Sequence, residues 1–368
     1  MGRGKDICCI FNLGPHYNYP LYSAMGRELE CGFCLGDHIH TEIKIFDYPS
    51  LPGYQKTLHN RYFGPFYWQE GALRQLFQPY RYYILTGEPY CLSHWVLLLL
   101  SKFTRKKVFG WTHGWYGRES FLKKAVKKAF FQLFDHLLVY SEYAMGLMRE
   151  EGIRASKMTC IANSLDSERM KDIRCQLQPT DVYKKHFGND HPVIIYCGRI
   201  QKVKKLESLV DAVDMLARQG KPVNLIMIGK DVDGTNLEAY VAEKHLQSSV
   251  WFYGPCYEES VLAELFYNAS VCVSPGNIGL TAIHSLSYGC PVVTHDDFTL
   301  QMPEFESVIP GMTGDFFEYG NINDMVEKIN TWAHKVNRDH VRSAAFREID
   351  RKWNIQQQIT TLKALFGL

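Results

Sequence analysis

Short apolar runs alternate along the chain with longer segments in which apolar residues recur at helical spacing. In the first half, strands are predicted at Ile7 to Asn12, Glu42 to Asp47, Tyr82 to Leu85, Lys107 to Trp111, His136 to Tyr140 and Met158 to Ile161. A second series is predicted at Val193 to Cys197, Asn224 to Ile228, Val250 to Tyr253, Val271 to Ser274 and Pro291 to His295. This alternation is typical of parallel sheets with crossover helices, so the predicted fold class is α/β.

Two domains are expected, because 368 residues exceed the roughly 250 to 300 at which a single core stops growing. A polar stretch from about Gln176 to Pro192 is predicted to connect them. We therefore predict Rossmann-like domains at residues 1–175 and 190–350, with a helix over 354–368 that packs back on the first. Ligands of open α/β sheets lie beyond the carboxyl ends of the strands, so two facing domains would have a cleft between them.

The most informative motif runs from Ser274 to Val293 and is predicted to form a strand, a glycine loop, a helix and a strand. Gly276 and Gly279 would let backbone amides approach a ligand, and a helix from Leu280 would offer its positive end to a phosphate, with the Thr281 hydroxyl as a further donor. A plain turn without a ligand is the alternative.

Basic residues follow the first strand of the second series, from Arg199 to Lys205. Cations at this place would stabilise the negative charge that develops on a departing diphosphate. A solvated basic loop is the alternative.

On these motifs the chain resembles the GT-B glycosyltransferases, in particular the retaining family 4, also called glycosyl transferases group 1. The resemblance implies that Arg199 and Lys204 contact the donor diphosphate and that His113, in Thr112-His113-Gly114, hydrogen-bonds the transferred sugar. It also implies a set of donor-binding residues: Gly14, Gly198, Gly229, Gly254, Gly276, Asn277, Gly279, Leu280, Thr281, His284 and Glu306.

The implied activity is that of a retaining hexosyl- or related glycosyltransferase of class EC 2.4. It would move a sugar from a UDP- or GDP-linked donor to a glycan or lipid-linked acceptor in polysaccharide or glycoconjugate biosynthesis. No cofactor besides the donor substrate is expected, and no metal, since Arg199 and Lys204 would neutralise the diphosphate. A non-catalytic GT-B protein that binds a nucleotide or glycan is the alternative. A glycosidase using Glu304 and Glu306 is less favoured, because the resemblance suggests a donor contact for Glu306.

The chain departs from the family at two glutamates, one in the glycine loop and one in the helix behind it. Gly276 and His284 stand at these positions. His284 keeps a group that can hydrogen-bond a ribose hydroxyl. For the donor sugar there are two alternatives: the transferred sugar differs in its hydroxyl pattern, or Asn277 takes over the contact.

The acceptor is expected at the loop after the first strand, with His16 and Tyr17 as contacts. A predicted amphipathic helix around Lys123 to Lys128 lies in a stretch with nine basic residues and one acidic residue. This helix either rests on anionic lipid or packs its apolar face in the core. Nucleic acid is not expected, because no recognised binding module accompanies the charge.

The remaining features favour the cytoplasm, with a peripheral contact at the cytoplasmic membrane face. The longest apolar run, Trp95 to Leu100, is far shorter than the roughly 20 residues that span a bilayer. The eleven cysteines are scattered and are interpreted as reduced thiols. Cys31 and Cys34 form a Cys-x-x-Cys pair without a second pair or nearby histidines, which gives little support for a metal or redox site.

Overall fold

A computed structural model describes residues 6–41 and 43–368 of the chain, which divides into two units. The first unit runs to Asp166 and includes Ile355–Leu368, and the second is Ser167–Asn354. Each unit is built around one parallel sheet.

The first unit has seven strands in its main sheet and a separate two-stranded hairpin. In chain order the strands are β1 Ile7–Phe11, β2 Gly32–Gly36, β3 Tyr54–Leu58, β4 Asn60–Phe63, β5 Phe66–Gln69, β6 Tyr82–Thr86, β7 Lys107–Thr112, β8 His136–Val139 and β9 Met158–Cys160. The main sheet has the order β3-β2-β1-β6-β7-β8-β9, and β4 pairs antiparallel with β5. The first helices of the unit are α1 Tyr19–Glu28, α2 Ala72–Gln75, α3 Leu92–Ser101, α4 Phe121–Leu133 and α5 Glu142–Glu150.

The second unit repeats this plan with six strands in the order β12-β11-β10-β13-β14-β15. Its strands are β10 Val193–Cys197, β11 Asn224–Ile228, β12 Val250–Gly254, β13 Val271–Ser274, β14 Val292–His295 and β15 Gly314–Phe317. Its helices are α6 Ser167–Arg174, α7 Val182–Phe187, α8 Leu206–Arg218, α9 Leu237–Glu243, α10 Glu259–Asn268, α11 Leu280–Ser287, α12 Ile322–His334 and α13 Arg338–Arg351. The central strands are continuous apolar runs because both faces of a parallel sheet are covered.

One predicted strand is wrong. The edge strand next to β2 is β3, whereas residues 43–47 contribute only an isolated bridge between Ile45 and Pro15, and Glu42 lies outside the described residues. The apolar run fails to pair because its side chains pack elsewhere: the Phe46 ring contacts Tyr19 at 5.2 Å and Tyr48 at 5.3 Å, both measured between ring centroids.

The first unit ends before residue 175, because α6 packs within the second unit. Arg174 of this helix pairs with Asp350 at 2.6 Å and lies over the Phe346 ring. The predicted connector around Gln176 to Pro192 is also partly helical, since it contains α7, and Tyr183 donates a hydrogen bond to the Leu265 carbonyl at 2.6 Å.

The last helix, α14 (Ile355–Phe366), belongs to the core of the first unit. Phe366 contacts the rings of Tyr82 and Phe109, with centroid distances of 4.9 and 5.0 Å. Lys363 pairs with Glu28 of α1 at 2.7 Å. The chain therefore returns to its first unit after completing the second.

Strand order reverses at one place in each sheet, between β1 and β6 and between β10 and β13. Loops that leave such a switch point in opposite directions open a crevice, where ligands of open α/β sheets bind. The loops after these four strands therefore position the candidate sites. Among the described residues, no helix is long and apolar enough to cross a bilayer.

Candidate active site

In the second unit, the two loops at the switch point contact each other directly. Lys204 Nζ, from the loop after β10, donates hydrogen bonds to the carbonyl and side-chain oxygens of Asn277 at 2.5 and 2.8 Å. A Cβ atom on Gly276 would lie 2.4 Å from the Val203 carbonyl oxygen and 2.7 Å from Lys204 Cα. Only glycine permits this approach, so the absence of a glutamate at position 276 has a steric reason.

The two predicted diphosphate ligands differ in their surroundings. Arg199 is exposed, whereas Lys204 is half-buried. Burial, together with the nearby positive charge of Arg199, lowers the pKa of Lys204 to about 8, against the opposing influence of Glu304. A bound anion would relieve both effects, so the two cations can stabilise the negative charge of a diphosphate.

Three predicted donor-binding glycines stand side by side at the carboxyl ends of β10, β11 and β12. The Gly198 amide donates to the Ile228 carbonyl at 2.9 Å, and the Gly229 amide donates to the Gly254 carbonyl at 3.0 Å. A Cβ atom on Gly229 would lie 1.9 Å from the Gly198 oxygen. Close packing of the strand ends therefore requires glycine at 229, and the amides of Gly198 and Gly229 are already used within the protein.

Helix α11 begins after Gly279, with Leu280 as its first residue. The Thr281 hydroxyl donates to the Cys197 carbonyl at 2.9 Å. Its proton is thus committed to the protein, and the expectation that it serves as a phosphate donor does not fit the structure. The bond instead ties the helix to the end of β10.

His284 is paired with a carboxylate that no sequence motif indicated. Its Nε2 lies 2.9 Å from Glu259 Oε1, which also accepts a 2.5 Å hydrogen bond from Tyr288. Burial opposes ionisation of Glu259, but the hydrogen bonds from His284 and Tyr288 outweigh it and hold the pKa of the carboxyl below its ordinary value. The chain has no glutamate at position 284, but Glu259 of α10 places a carboxylate beside it.

Of the two glutamates between β14 and β15, Glu304 lies beside the glycine loop. It is buried, and its Oε2 is 3.9 Å from the position of a Cβ on Gly279. Glu306 pairs with Lys352 at 3.2 Å. Glu304 therefore lies beside the loop and influences the charge of Lys204, whereas the donor contact of Glu306 stays a prediction.

In the first unit, a pocket of about 230 Å³ opens at the switch point between β1 and β6. Strand β7 and the loops after several strands contribute side chains to its lining, including Asn12, Tyr17, Glu88, Trp111, His113 and Tyr140. The structure therefore places His113 and Tyr17 in the same pocket, although His113 was predicted to contact the transferred sugar and Tyr17 the acceptor.

His113 is uncharged at neutral pH. Burial, with a smaller effect from the Lys127 charge, lowers its pKa to about 4. Its Nδ1 is buried without a hydrogen-bond partner among the described residues, and its ring lies 4.7 Å from that of Tyr140. Lys127 fixes the same segment by donating to the Gly114 carbonyl at 2.6 Å. A neutral imidazole in this place can hydrogen-bond a hydroxyl but supplies no positive charge.

The other residues predicted near the first strand have different surroundings. The Gly14 amide donates to Tyr48 Oη at 2.9 Å, and a Cβ on Gly14 would lie 2.7 Å from the Tyr48 ring. Packing against Tyr48 thus explains why residue 14 is glycine, and its amide is not available to bind a nucleotide sugar. His16 is exposed, approaches the Lys44 carbonyl at 3.1 Å and does not line the pocket.

Among residues 6–41 and 43–368, one group has the composition of a metal site: Asp37, His38 and His59, whose ligand atoms lie within 4.8 Å of one another. Asp37 accepts hydrogen bonds from both imidazoles, at 2.8 and 2.6 Å, which accounts for the grouping without an ion. It belongs to the first unit and includes none of the residues predicted to bind the donor. Cys31 and Cys34 are buried free thiols.

Comparison with known proteins bears on the second unit. Residues 178–348 match the family model described as glycosyl transferases group 1. This stretch of the second unit is therefore similar to glycosyl transferases group 1. The glycine loop, Arg199 and Lys204 all lie inside the matched residues, so the resemblance to the group 1 glycosyltransferases is confirmed, whereas the placement in retaining family 4 stays a prediction.

Relatives of known structure extend the likeness to the whole chain. A lipopolysaccharide outer core galactosyltransferase, WaaB, is 16% identical with a TM-score of 0.72, covering 98% of this chain and 99% of that one. The Anabaena protein HepE in complex with UDP is 16% identical with a TM-score of 0.72, covering 99% and 100%. These similarities confirm the predicted α/β GT-B fold class with two Rossmann-like domains.

A curated relative matches over a shorter stretch. The alpha-D-kanosaminyltransferase of Streptomyces kanamyceticus is 23% identical over 177 residues, which is 47% of this chain and 44% of that enzyme. The match therefore spans less than half the length of this relative.

Proposed function

We propose that the protein is a retaining glycosyltransferase that moves a sugar from a nucleotide diphosphate donor to a glycan or lipid-linked acceptor in polysaccharide or glycoconjugate biosynthesis. The contact between the two switch-point loops carries the proposal: Lys204 bonded to Asn277 beside Gly276, with Arg199 exposed nearby. It concentrates positive charge where α/β domains bind phosphate. HepE was crystallised with UDP and with UDP-glucose, which favours a uridine nucleotide.

In the proposed reaction, an acceptor hydroxyl attacks the anomeric carbon as the bond from that carbon to the diphosphate oxygen breaks. The hydroxyl proton passes to a phosphate oxygen of the leaving group on the same face of the sugar, so the configuration is retained. Arg199 and Lys204 stabilise the departing diphosphate, so no metal or cofactor is required. His113 hydrogen-bonds the transferred sugar in its neutral form.

Donor binding is tested by thermal unfolding with UDP, GDP, UDP-sugars, GDP-sugars and uridine. A ligand at 100 times its Kd stabilises the folded state by about 2.7 kcal/mol, so UDP and its sugars should raise Tm whereas uridine, which has no phosphate, should not. Donor consumption is then followed with a panel of acceptors. Equal shifts with UDP and uridine would contradict the assigned phosphate site. Binding without transfer or donor hydrolysis would favour a non-catalytic protein.

Helix α4 supports a peripheral contact with an anionic membrane. Its first two turns carry exposed apolar side chains, with Phe121 88% and Leu122 72% exposed, and only Phe130 and Phe131 near its end are buried. The alternative, in which the apolar face packs in the core, is therefore wrong for this half of the helix. Lys123 adds exposed positive charge beside the two apolar side chains. We propose that this surface enters the headgroup region of the cytoplasmic membrane face.

Vesicle sedimentation tests the membrane contact. The protein should pellet with vesicles of phosphatidylcholine and phosphatidylglycerol, and less with phosphatidylcholine alone. The double variant F121E/L122E should lose most of this binding. It replaces the two apolar side chains that would insert into the headgroup region by negative charges, which anionic lipid repels. Phe77→Glu is the matched control, since Phe77 is 78% exposed elsewhere in the same unit. Equal losses in both variants, or none, would overturn the assignment to α4.

A further inference from the structure

The pocket of the first unit has one carboxylate among its described lining residues, that of Glu88. Glu88 Oε1 accepts hydrogen bonds from Asn12 Nδ2 at 2.9 Å and from Tyr67 Oη at 2.5 Å. Tyr67 is itself buried, and burial raises the pKa of its hydroxyl, which keeps it a donor. The carboxylate is therefore held in a fixed orientation by groups on β5 and on the loop after β1.

The second oxygen of Glu88 remains available to a ligand. Both described bonds end on Oε1, and no described residue donates to Oε2. Glu88 is partly exposed at the pocket, so a ligand group can reach it. A fixed carboxylate oxygen selects a hydrogen-bond donor, either a hydroxyl or an ammonium group.

The charges around the pocket disfavour an anionic ligand. Among the described residues, no Lys or Arg lines it. His113 lines it but is neutral at physiological pH, since its pKa is lowered to about 4 by burial. A carboxylate or phosphate group entering the pocket would face Glu88 without a compensating cation, which costs affinity.

The size and the walls of the pocket suit one sugar ring. Its 230 Å³ lies below the roughly 300 Å³ at which pockets for drug-sized ligands begin. Aromatic side chains from several elements form the walls, among them Tyr17, Trp111 and Tyr140. Flat aromatic surfaces pack against the apolar C–H face of a pyranose, while its hydroxyls reach polar groups at the edge.

We propose that this pocket binds one neutral or amino-substituted sugar ring of the acceptor, with Glu88 accepting hydrogen bonds from its hydroxyl or ammonium groups. The proposal rests on the proposed transferase function and narrows the acceptor class to sugars without a negative charge on the bound ring. Uronic acids and sugar phosphates are excluded at this position.

The test measures binding of simple glycosides to the full-length protein by saturation-transfer NMR and calorimetry. Probes are methyl glucoside, methyl galactoside, methyl glucosaminide, methyl glucuronide and glucose 6-phosphate. The first three should bind, and the two anionic probes should bind at least about tenfold more weakly, the size of one charge-dependent hydrogen bond. Tighter binding of the anionic probes, or no binding of any probe, would overturn the proposal.

Glu88→Gln is the decisive variant. The amide keeps an oxygen for Asn12 and Tyr67, so the fold should survive, but the negative charge is lost. Binding of the glucosaminide should weaken about tenfold and that of the neutral glycosides less. Glu70→Gln, an exposed change in the same unit, should have no effect. Unchanged glucosaminide binding in Glu88→Gln would reject the role of Glu88.

The same protein samples separate this proposal from the transferase proposal. The UDP-dependent rise in Tm depends on the second unit and should persist in Glu88→Gln. Sugar binding without any response to UDP would contradict the transferase while leaving the pocket in place. A rise in Tm with UDP but no sugar binding would contradict the pocket assignment and leave the transferase proposal in place.

Discussion

An Arg199→Ala variant is expected to lose about 100- to 1,000-fold in transfer rate while keeping its Tm within about 1 °C of the unsubstituted protein. The loss is that of one fixed group that stabilises charge developing on the leaving group, about 2.7 to 4 kcal/mol. Stability should be unaffected because Arg199 is exposed, and removing its charge also relieves the desolvated Lys204. The measurement is initial rate against donor concentration, with Tm recorded on the same samples.

Lys202→Ala is the matched control for Arg199→Ala. Lys202 is an exposed cation of the same loop, and its backbone amide, not its side chain, bonds to Asp233. It should retain a rate within about twofold, since exposed charges away from the leaving group contribute little. If both variants lose rate equally, the loop acts through its general positive charge. An undiminished rate in Arg199→Ala would reject the diphosphate assignment.

Gly276→Ala is expected to abolish the UDP-dependent rise in Tm and to destabilise the protein by about 1 to 3 kcal/mol, the usual cost of overpacking. The new methyl group would overlap the Val203 carbonyl and Lys204 Cα, so the two loops must separate. Separation breaks the bonds from Lys204 to Asn277 and moves the cation away from the start of α11. A glutamate at this position, as the related family has, should be worse than alanine because it is larger.

Gly146→Ala provides the comparison for a glycine with free space. Gly146 lies within α5, and a Cβ there would meet only Arg149 Nη2 at 3.9 Å. This change should leave UDP binding intact and raise stability by up to about 1 kcal/mol, the helix preference of alanine over glycine. Intact UDP binding in Gly276→Ala would show that the close contact of the two loops is not needed for the site.

The strands that line the two switch points were predictable, because each is a buried apolar run bounded by glycine or polar residues, as in β1 and β6. The strand predicted from Glu42 to Asp47 failed because an apolar run does not specify what its side chains meet. Phe46 and Tyr48 fill the space over Gly14, which lies far from them in the chain. The membership of α6 in the second unit depended likewise on a distant partner, Asp350.

The fold class, the order of the motifs, the glycine loop and the cations Arg199 and Lys204 were predictable from the amino-acid pattern, because they depend on local spacing of residue types. Which polar side chains already have partners depends on contacts between distant parts of the chain. Thr281 is hydrogen-bonded to the Cys197 carbonyl and His284 to Glu259, and Glu88 and His113 line the same pocket. These partners lie far apart in the chain, and a hydrogen bond needs approach to about 3 Å, which only the folded backbone imposes.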